Sequence, residues 1–472
     1  MNPGLDTVKA LFRAGQHALA LSQCEALVRE RPQDTEAKRL CATMHGMVDN
    51  FGRSLELLRE LQRAGVDDAD LLFNIGMCER GLQDHGAALQ TFRAYTEKFP
   101  GQIDGWAARA ECAEALGQLE EAAEAYKAAL KFAPADDNLL KKATSCLLQL
   151  DRASEGIALC REALKADPGN VTARLGAEWL LAQVVPLWHV PMVNEAERND
   201  VYFDALKAVV KPGQRVFEIG TGSGLVAMMA AKLGADVVTC EAVGLVAETA
   251  ARIVADNNLQ DRVRVLAKPS YAVQVPADLP QKADVLVHEI FSSELLGEHV
   301  LAALEDAKLR LLKPGGEILP GVGSIMVALV GGDALGRELH VGEVHGFDLR
   351  AFNAINPKKR PIHREDLPRE LMGDAVEAFR FDFKSRTSFP PERKRLQLTA
   401  TRAGRCWGVI QWIRFEFAPG IAFENHPARA RPVANWQHTV YRFDEPLELR
   451  EGQVVAIDAS HDRSRPWFER AV

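Results

Sequence analysis

Apolar positions recur every 34 residues over the first 170 residues of this 472-residue chain, in the units 1–34, 35–68, 69–102, 103–136 and 137–170. Unit position 20 is always small: Ala20, Ser54, Ala88, Ala122 and Gly156. Position 24 holds packing residues: Cys24, Leu58, Phe92, Tyr126 and Cys160. Proline occupies position 32 as Pro32, Pro100, Pro134 and Pro168. Small residues let two antiparallel helices approach, and proline ends the second helix because it cannot continue it. The pattern predicts stacked helix pairs that form a solenoid with a concave groove.

This 34-residue register resembles the tetratricopeptide repeat. Residues 171–182 are expected to add a capping helix, so the repeat array is predicted to cover residues 1–182. Unit position 10 holds Cys78, Cys112 and Cys146. We interpret these thiols as buried packing residues rather than metal ligands, because cysteine commonly behaves as a small apolar side chain.

The pattern changes after the repeats. An apolar strand, 216–219, runs into three glycines and an apolar helix, 225–233, and further strands are expected at 236–240, 263–266, 283–287 and 317–319. This alternation predicts an α/β, Rossmann-like domain over residues 183–320. Residues 321–472 contain short alternating strands, such as 409–417, which suit a β-barrel-like domain. The polar stretch 353–373 is expected to project from it as a helical arm.

Composition removes several classes of function. A net charge of −8 argues against a general nucleic-acid binder, which usually carries a basic domain. No apolar run reaches about 18 residues, so no membrane span is expected. The start of the chain lacks a secretory signal pattern, and the eight cysteines form no C-x-x-C pair. We therefore expect a cytoplasmic protein with neither a metal site nor disulfides.

A glycine-rich turn carries the first candidate chemistry. Residues 218–224 follow the spacing E-x-G-x-G-x-G, and Glu241 ends the next strand, where it can accept both hydroxyls of a ribose. The glycines let the backbone approach a ligand closely. The spacing resembles the motif of S-adenosylmethionine-dependent methyltransferases and differs from the dinucleotide pattern G-x-G-x-x-G, so NAD is the less favoured alternative.

An acidic loop, 288–298, carries the second group of residues with candidate chemistry. Glu289, Glu294 and Glu298 lie there among apolar residues, directly after the predicted strand 283–287. A solvated surface loop would explain the charges but would not need the apolar neighbours. Two carboxylates on one loop can bind the planar, five-donor guanidinium group.

With both motifs in place, residues 188–468 resemble the protein arginine N-methyltransferases. The stretch 188–202 resembles the family's helix ahead of the sheet, the acidic loop resembles its double-glutamate loop, and 435–441 resembles the loop that closes its substrate site. The resemblance implies S-adenosylmethionine as cofactor and methyl transfer to a guanidino nitrogen of arginine in protein substrates.

The resemblance also implies roles for the matching residues. Glu289 and Glu298 would clamp the guanidinium as catalytic residues, whereas Glu294 is off-pattern and is expected to point elsewhere. Asn435 and Trp436 would belong to the substrate loop. The residues expected at the cofactor are His189, Met192, Arg198, Glu218, Gly220, Gly222, Gly224, Glu241 and Ser270.

Within that set, the resemblance assigns His189 and Arg198 to the methionine carboxylate and Met192 to the sulfonium. At the adenine edge, an acidic residue usual in the family is missing around 270–272.

Two positions depart from the family pattern. The family's Thr-His-Trp loop reads Ala434-Asn435-Trp436 here, and Glu195 stands where the family has an aspartate. Asn435 can hydrogen-bond a carboxylate but cannot take up a proton. The departures leave two alternatives open: a methyltransferase for a small guanidino compound or another nucleophile, and a repeat scaffold with a weakly active methyltransferase-like half.

The expected partners follow from the same comparison. The repeat array implies protein or peptide substrates held in its groove, although it could instead only stabilise the enzyme. In the family, the arm docks on a second subunit, so a homodimer is expected. The chain end resembles the monomethylating branch and the repeats resemble the branch that makes symmetric dimethylarginine, so the product stays open.

Overall fold

The computed structural model describes residues 3–362, 370–429 and 435–471. The chain divides into two compact units, Met1–Val184 and Val185–Val472. The first unit is helical. Its helices are α1 (Pro3–Arg13), α2 (His17–Glu30), α3 (Thr35–Met47), α4 (Phe51–Arg63), α5 (Ala69–Gly81), α6 (His85–Lys98), α7 (Ile103–Ala115), α8 (Leu119–Leu130), α9 (Asp137–Gln149), α10 (Ala153–Ala166) and α11 (Val171–Val184).

Each 34-residue unit folds as one helix pair, and α11 follows the fifth pair, as the periodicity predicts. The register carries a further signal at unit position 34, the N-cap of the next pair. Asp34, Asp68 and Asp136 each accept a hydrogen bond from a first-turn amide there, and Asn170 does the same before α11. A capping side chain satisfies one of the amides that a helix N-terminus leaves unpaired. The three thiols Cys78, Cys112 and Cys146 are buried.

Close packing between repeats limits side-chain size at Gly105. A Cβ atom at this position of α7 would lie 2.2 Å from two ring carbons of Tyr95. That ring is enclosed by Phe73 and Phe99, with centroids 5.6 and 5.5 Å away.

We expect overpacking in Gly105→Ala to lower the free energy of unfolding by about 1–3 kcal/mol. Alanine's better helix propensity offsets up to about 1 kcal/mol of this loss. Chemical denaturation of the repeat unit's helical signal would measure the change. Gly52→Ala is the matched control, because Gly52 also lies in a helix, α4, and its Cβ would meet nothing within 4 Å. Equal stability of the two variants would contradict this account of the interface.

One group of three possible metal ligands occurs among the described residues: Glu25, Cys41 and His45, with donor atoms within 4.8 Å of one another. Arg53 donates to both oxygens of Glu25, at 2.7 and 2.8 Å. His45 Nε2 lies 3.0 Å from Glu25, and its Nδ1 lies 3.1 Å from the side-chain amide of Asn50. These hydrogen bonds give the cluster a structural explanation within the repeats.

The second unit begins with helices and a parallel sheet. Its first elements are α12 (His189–Val193), α13 (Ala196–Val209), β1 (Arg215–Ile219), α14 (Leu225–Lys232), β2 (Asp236–Glu241), α15 (Gly244–Asp256), β3 (Val263–Ala267), a 3₁₀-helix (Ser270–Ala272), β4 (Ala283–His288), α16 (Val300–Arg310) and β5 (Leu312–Leu319). The strand order is β3-β2-β1-β4-β5, with every neighbouring pair parallel. This is the predicted Rossmann-like sheet.

Antiparallel strands follow. The elements after β5 are β6 (Val322–Gly331), α17 (Asp333–Leu339), β7 (Glu343–Val344), β8 (Phe347–Asp348), a 3₁₀-helix (Arg350–Ile355), β9 (Lys359–Ile362), β10 (Val376–Asp382), β11 (Glu392–Thr399), β12 (Gly404–Ala418), β13 (Ile421–Glu424), β14 (His438–Leu449), β15 (Val454–His461) and β16 (Pro466–Arg470). One sheet has the order β10-β6-β12-β14-β9, with β13 on β12, and a second has the order β11-β15-β16. The parallel and antiparallel parts share one apolar core, in which Phe291 packs 4.4 Å from Phe415.

Two local expectations need correction. The helix expected over 188–202 is two helices, α12 and α13, with a break at Asn194–Glu195. Within the expected arm, 353–373, residues Lys359–Ile362 form the edge strand β9 on β14, and 363–369 lie outside the described residues. Exposed apolar side chains instead mark the segment 343–355, which holds the β7–β8 hairpin and a 3₁₀-helix.

Across residues 3–362, 370–429 and 435–471, no helix is both long enough and apolar enough to cross a membrane.

Candidate active site

The order of the parallel sheet determines where the site lies. From β1 the chain builds β2 and β3 on one side, and it then returns to build β4 and β5 on the other. At such a switch point the connections after adjacent strands diverge, which opens a crevice at the carboxyl ends of the strands. Ile219 is paired with His288, so the glycine turn after β1 lies beside the acidic loop after β4.

The glycine turn is tightly packed on one side and open on the other. Gly220, Gly222 and Gly224 all have positive φ, at 83°, 52° and 80°. A Cβ on Gly220 would lie 2.8 Å from the side chain of Ile290 in the acidic loop, whereas a Cβ on Gly222 would meet nothing within 4 Å. The turn therefore needs glycine for its backbone and leaves room beside Gly222 for a ligand.

Glu241 braces this turn from the end of β2. One carboxylate oxygen accepts from the amide of Gly222 at 3.1 Å, and the other accepts from the amide of Val243 at 3.0 Å. Each oxygen keeps a lone pair that a ribose hydroxyl can use.

Glu218 is buried in the sheet, although its motif suggests a cofactor contact. It accepts a hydrogen bond from Thr239 Oγ1 at 2.6 Å, and Thr239 is bonded in turn to Thr221 at 2.7 Å. Loss of solvent, helped by the charges of Glu241 and Glu289, raises the pKa of Glu218 to about 8. Glu218 is therefore linked through Thr239 to Thr221 of the glycine turn, and in this structure it supports the turn from inside the sheet.

The two helices ahead of the sheet bring polar atoms to the same crevice. Arg198 is 4% exposed and donates to the carbonyl of Met192 at 3.3 Å, while its Nε has no partner. His189 stacks on Trp188 at 4.3 Å, and its buried Nδ1 also lacks a partner. Met192 is buried beside them. Two unpaired nitrogens near a buried thioether fit a ligand that carries a carboxylate and a sulfonium group.

Glu289 is the least exposed carboxylate of the acidic loop, with 11% of its side-chain surface exposed. Loss of solvent raises its pKa to about 7, against the opposing charge of Arg198 and with the help of Glu298 and Glu195. Arg198 Nη1 lies 3.9 Å from its Oε2, a long ion pair that leaves most of the carboxylate's bonding capacity unused.

Glu298 and Glu294 differ from Glu289 and from each other. Glu298 is exposed to solvent, and the protein atoms around it and the charge of Glu241 raise its pKa. Its φ of 58° is unusual for a residue with a side chain, a feature that often accompanies functional loops. Glu294 forms an ion pair with Lys359 at 2.5 Å, a partner that neither of the other two carboxylates has.

The segment 435–437 binds both α13 and the acidic loop. Asn435 Nδ2 donates to Glu195 Oε2 at 2.6 Å. Trp436 is 4% exposed and donates to the carbonyl of Phe291 at 3.2 Å, and the amide of Gln437 donates to Ser293 Oγ at 3.0 Å. Trp436 therefore holds the acidic loop in place from the core. Ala434, the first residue of the expected motif, lies outside the described residues.

Ser270 lies in a 3₁₀-helix after β3, where its carbonyl accepts from Arg310 at 3.1 Å.

Two supporting residues were not among the site residues predicted from the sequence. Tyr202 donates to the carbonyl of His288 at 3.0 Å, and the buried amide of Asn425 donates to the carbonyl of Trp436 at 2.8 Å. Tyr202 belongs to the pre-sheet motif and could have been found there, whereas no local pattern marks Asn425.

S-adenosylmethionine fits these groups. Its carboxylate matches the unpaired nitrogens of Arg198 and His189, its ribose matches Glu241, and the space beside Gly222 admits it. The fold and the site define an S-adenosylmethionine-dependent methyltransferase that carries tetratricopeptide repeats.

The comparisons with known proteins agree. A family model described as Ribosomal protein L11 methyltransferase (PrmA) matches residues 200–323, and Tetratricopeptide repeat models match 48–103 and 103–136. The Arginine N(omega)-methyltransferase of Streptomyces achromogenes subsp. streptozoticus is 33% identical over 275 residues, covering 58% of this chain and 75% of that relative. The chain belongs to the arginine N-methyltransferase family.

More distant relatives extend the comparison. Protein arginine N-methyltransferase 7 of Danio rerio is 27% identical over 310 residues, or 59% of this chain and 45% of that protein. The chain thus matches less than half of that relative's length. The structure of the Trypanosoma brucei PRMT1 enzyme-prozyme heterotetrameric complex with AdoHcy covers 60% of this chain and 98% of its own, with 20% identity and a TM-score of 0.52. This likeness concerns the fold alone.

Proposed function

We propose that this chain transfers a methyl group from S-adenosylmethionine to a guanidino nitrogen of arginine. The observation that carries the proposal is Glu289, a carboxylate that is 11% exposed and has unused bonding capacity beside the cofactor crevice. The charge of Glu298, on the same loop, helps to raise its pKa. A guanidinium offers paired donors to two carboxylates, and the low exposure of Glu289 strengthens its share of the contact. When bound, the cofactor supplies a methyl group on a positively charged sulfur.

The residues of the site have separate roles in binding and orienting the two substrates; Glu289 and Glu298 are together called the clamp. Glu289 and Glu298 bind and orient the guanidinium, so that one terminal nitrogen faces the methyl group. Arg198 and His189 hold the carboxylate of the cofactor, and Glu241 holds its ribose. Trp436 keeps the acidic loop in register and excludes water behind it.

Arginine within proteins is the first candidate substrate. The repeats support it, because an array of helix pairs offers an extended surface for peptides, and the relatives named protein arginine N-methyltransferase 7 support it too. Free arginine, or another small guanidino compound, is the second candidate. The name of the Streptomyces relative, Arginine N(omega)-methyltransferase, favours that candidate.

Labelled S-adenosylmethionine offered to arginine-rich peptides, free arginine and a cell lysate would test the proposal. Label on arginine in peptides or lysate proteins supports the first candidate, and label on free arginine alone supports the second. If no guanidino acceptor is labelled while the cofactor binds, the proposal fails and the scaffold alternative gains support.

We also propose that two copies associate through the segment 343–355. Its exposed apolar side chains are Val344, Phe347, Leu349, Phe352 and Ile355, of which Phe347 is 70% and Ile355 is 74% exposed. Contiguous exposed apolar surface of this kind usually marks an interface.

Phe352→Asp is expected to leave the protein monomeric, because it places a charge in the apolar patch. Sedimentation velocity would compare its mass with that of wild type. Leu309→Asp is the matched control, since Leu309 is 76% exposed on α16, outside this segment. A wild type that is already monomeric, or a Phe352→Asp variant that stays dimeric, would contradict this interface.

The chain is proposed to act in the cytoplasm. All eight cysteines are free and buried, which suits a reducing compartment.

A further inference from the structure

Two cysteines, a histidine and a glutamate meet between α2 and α3, where the first repeat joins the second; we call them the α2–α3 cluster. Donor atoms of Glu25, Cys41 and His45 lie within 4.8 Å of one another. Cys24 joins them, because a hydrogen bond between the two thiols lowers the pKa of Cys24 and raises that of Cys41. Both thiols are fully buried, whereas 24% of the Glu25 side chain is exposed and gives a route from solvent.

The positions of these residues along the chain suit a single site. Cys24 and Glu25 are adjacent on α2. Cys41 and His45 stand four positions apart on α3, so they share one face of that helix. The lack of a C-x-x-C pair argues against a metal site only where the ligands come from one tight turn. In the α2–α3 cluster, two neighbouring helices supply two ligands each.

The repeat pattern does not require a carboxylate at this place. Unit position 25 is basic in units two to five, as Arg59, Arg93, Lys127 and Arg161. Arg93 pairs there with Glu121, which occupies position 19 of the next unit. Between units one and two the charges are exchanged, since Glu25 pairs with Arg53. The exchange keeps the ion pair and brings a carboxylate to His45 and Cys41.

The donor set of the α2–α3 cluster matches a zinc ion. Zn²⁺ takes cysteine sulfur, histidine nitrogen and carboxylate oxygen in a tetrahedron, at about 2.0–2.3 Å. Neighbouring donors in such a tetrahedron lie about 3.3–3.8 Å apart, so donors within 4.8 Å need only small side-chain adjustments. Thiolate and imidazole favour zinc over calcium and magnesium, which prefer oxygen ligands.

Neighbouring side chains can orient these ligands. Arg53 donates to both oxygens of Glu25, at 2.7 and 2.8 Å, and so fixes the carboxylate. His45 Nδ1 lies 3.1 Å from the side-chain amide of Asn50. With its carbonyl oxygen turned to the ring, Asn50 accepts from Nδ1–H, and a metal ion can replace the proton between Nε2 and Glu25, which are 3.0 Å apart. The hydrogen bonds account for the polar groups but leave out the two thiols beside them.

We propose that the α2–α3 cluster, Cys24, Glu25, Cys41 and His45, binds one Zn²⁺ ion that ties the first repeat to the second. Four protein ligands leave no open position for a substrate, so the ion is structural. It stabilises this end of the repeat array and takes no part in methyl transfer. The inference is independent of the proposed arginine methylation.

Zinc affinity gives the first test, on the full chain without a polyhistidine tag, kept reduced and stripped with a chelator. We expect one zinc ion per chain, with a dissociation constant below about 1 μM in competition with a chromophoric chelator. Cys41→Ser should weaken binding at least about a hundredfold, because a lost ligand costs more than a lost orienting group. Cys112→Ser is the matched control, since Cys112 is equally buried, on α7, and should bind zinc as wild type does.

Cobalt(II) gives the second test, because its spectrum reports the ligands themselves. Co²⁺ added in place of Zn²⁺ should show a thiolate-to-cobalt band in the near ultraviolet and the visible bands of a tetrahedral site. Cys24→Ser should weaken the thiolate band, since one of two thiolates is gone. Cys160→Ser, at the same unit position in unit five, should leave it unchanged. Zinc should also raise the melting temperature of wild type but not that of Cys41→Ser.

Three results would overturn the zinc site. They are a reduced wild type that binds no zinc, a folded Cys41→Ser variant that binds zinc as tightly as wild type, and a cobalt spectrum without a thiolate band. The spectrum is measured on wild type, so it decides the question even if Cys41→Ser fails to fold. A thiolate band that Cys24→Ser leaves unchanged would contradict the four-ligand site. Methyl transfer to arginine bears on none of these results.

Discussion

Glu289→Gln is expected to lower methyl transfer to arginine by about a hundred- to a thousandfold while leaving cofactor binding unchanged. Glutamine has nearly the same size, but it removes the negative charge and puts an amide donor against the guanidinium. Binding and orientation of the nucleophilic nitrogen are lost together, since the clamp performs both. Single-turnover transfer and calorimetric titration with S-adenosylhomocysteine would measure the two properties separately.

Glu294→Gln is the matched control, because the same change is made five positions along the same loop. Glu294 is engaged in an ion pair with Lys359. A pair of this kind contributes at most about 1 kcal/mol, so activity should stay within about fivefold. Turnover by Glu289→Gln at the wild-type rate would remove the clamp from the mechanism.

The pH dependence of kcat/KM offers an independent check on Glu289. Its pKa of about 7 belongs to the free enzyme, and the guanidinium binds the ionised carboxylate. As pH falls below 7 the carboxyl group is protonated, so kcat/KM should fall; as pH rises above 7 it should level off. Binding of the arginine acceptor near pH 7 should therefore release a proton.

The glycine turn, the acidic loop and the repeats could be predicted from the sequence because each depends on local spacing. Three glycines between an apolar strand and an apolar helix predict a tight turn with positive φ angles, because glycine adopts these angles without strain. A 34-residue period predicts stacked helix pairs, because each pair is one repeat. The same local logic missed the break at Asn194–Glu195. A helical pattern runs through it, but Glu195 is bonded to Asn435, 240 positions along the chain.

Long-range packing also explains the residues whose contacts differ from their motif. Trp436 belongs to a loop expected at the substrate, yet its ring is buried 5.4 Å from Phe415 and 5.3 Å from Phe423. Glu218 heads the glycine motif, yet Thr239 on the neighbouring strand binds it. A motif identifies the residue types that a site needs, whereas the fold decides which of them face the ligand.

Glu241→Gln is expected to weaken binding of S-adenosylmethionine and S-adenosylhomocysteine by about 10- to 100-fold, which corresponds to hydrogen bonds to a charged group. The carboxylate now accepts from two backbone amides, those of Gly222 and Val243. A glutamine has one acceptor oxygen, so its amide group must oppose one of these N–H donors, and one end of the turn is released. The ribose loses its charged acceptor in the same step.

Isothermal titration with S-adenosylhomocysteine would measure this loss. Glu248→Gln, on the exposed face of α15, is the matched control and should bind as wild type does. Glu289→Gln should also bind S-adenosylhomocysteine as wild type does. The two substitutions would therefore weaken binding of different molecules, the cofactor for Glu241→Gln and the arginine acceptor for Glu289→Gln. If Glu241→Gln bound the cofactor as tightly as wild type, Glu241 would serve only to brace Gly222, and the ribose contact would have to come from other residues of the crevice.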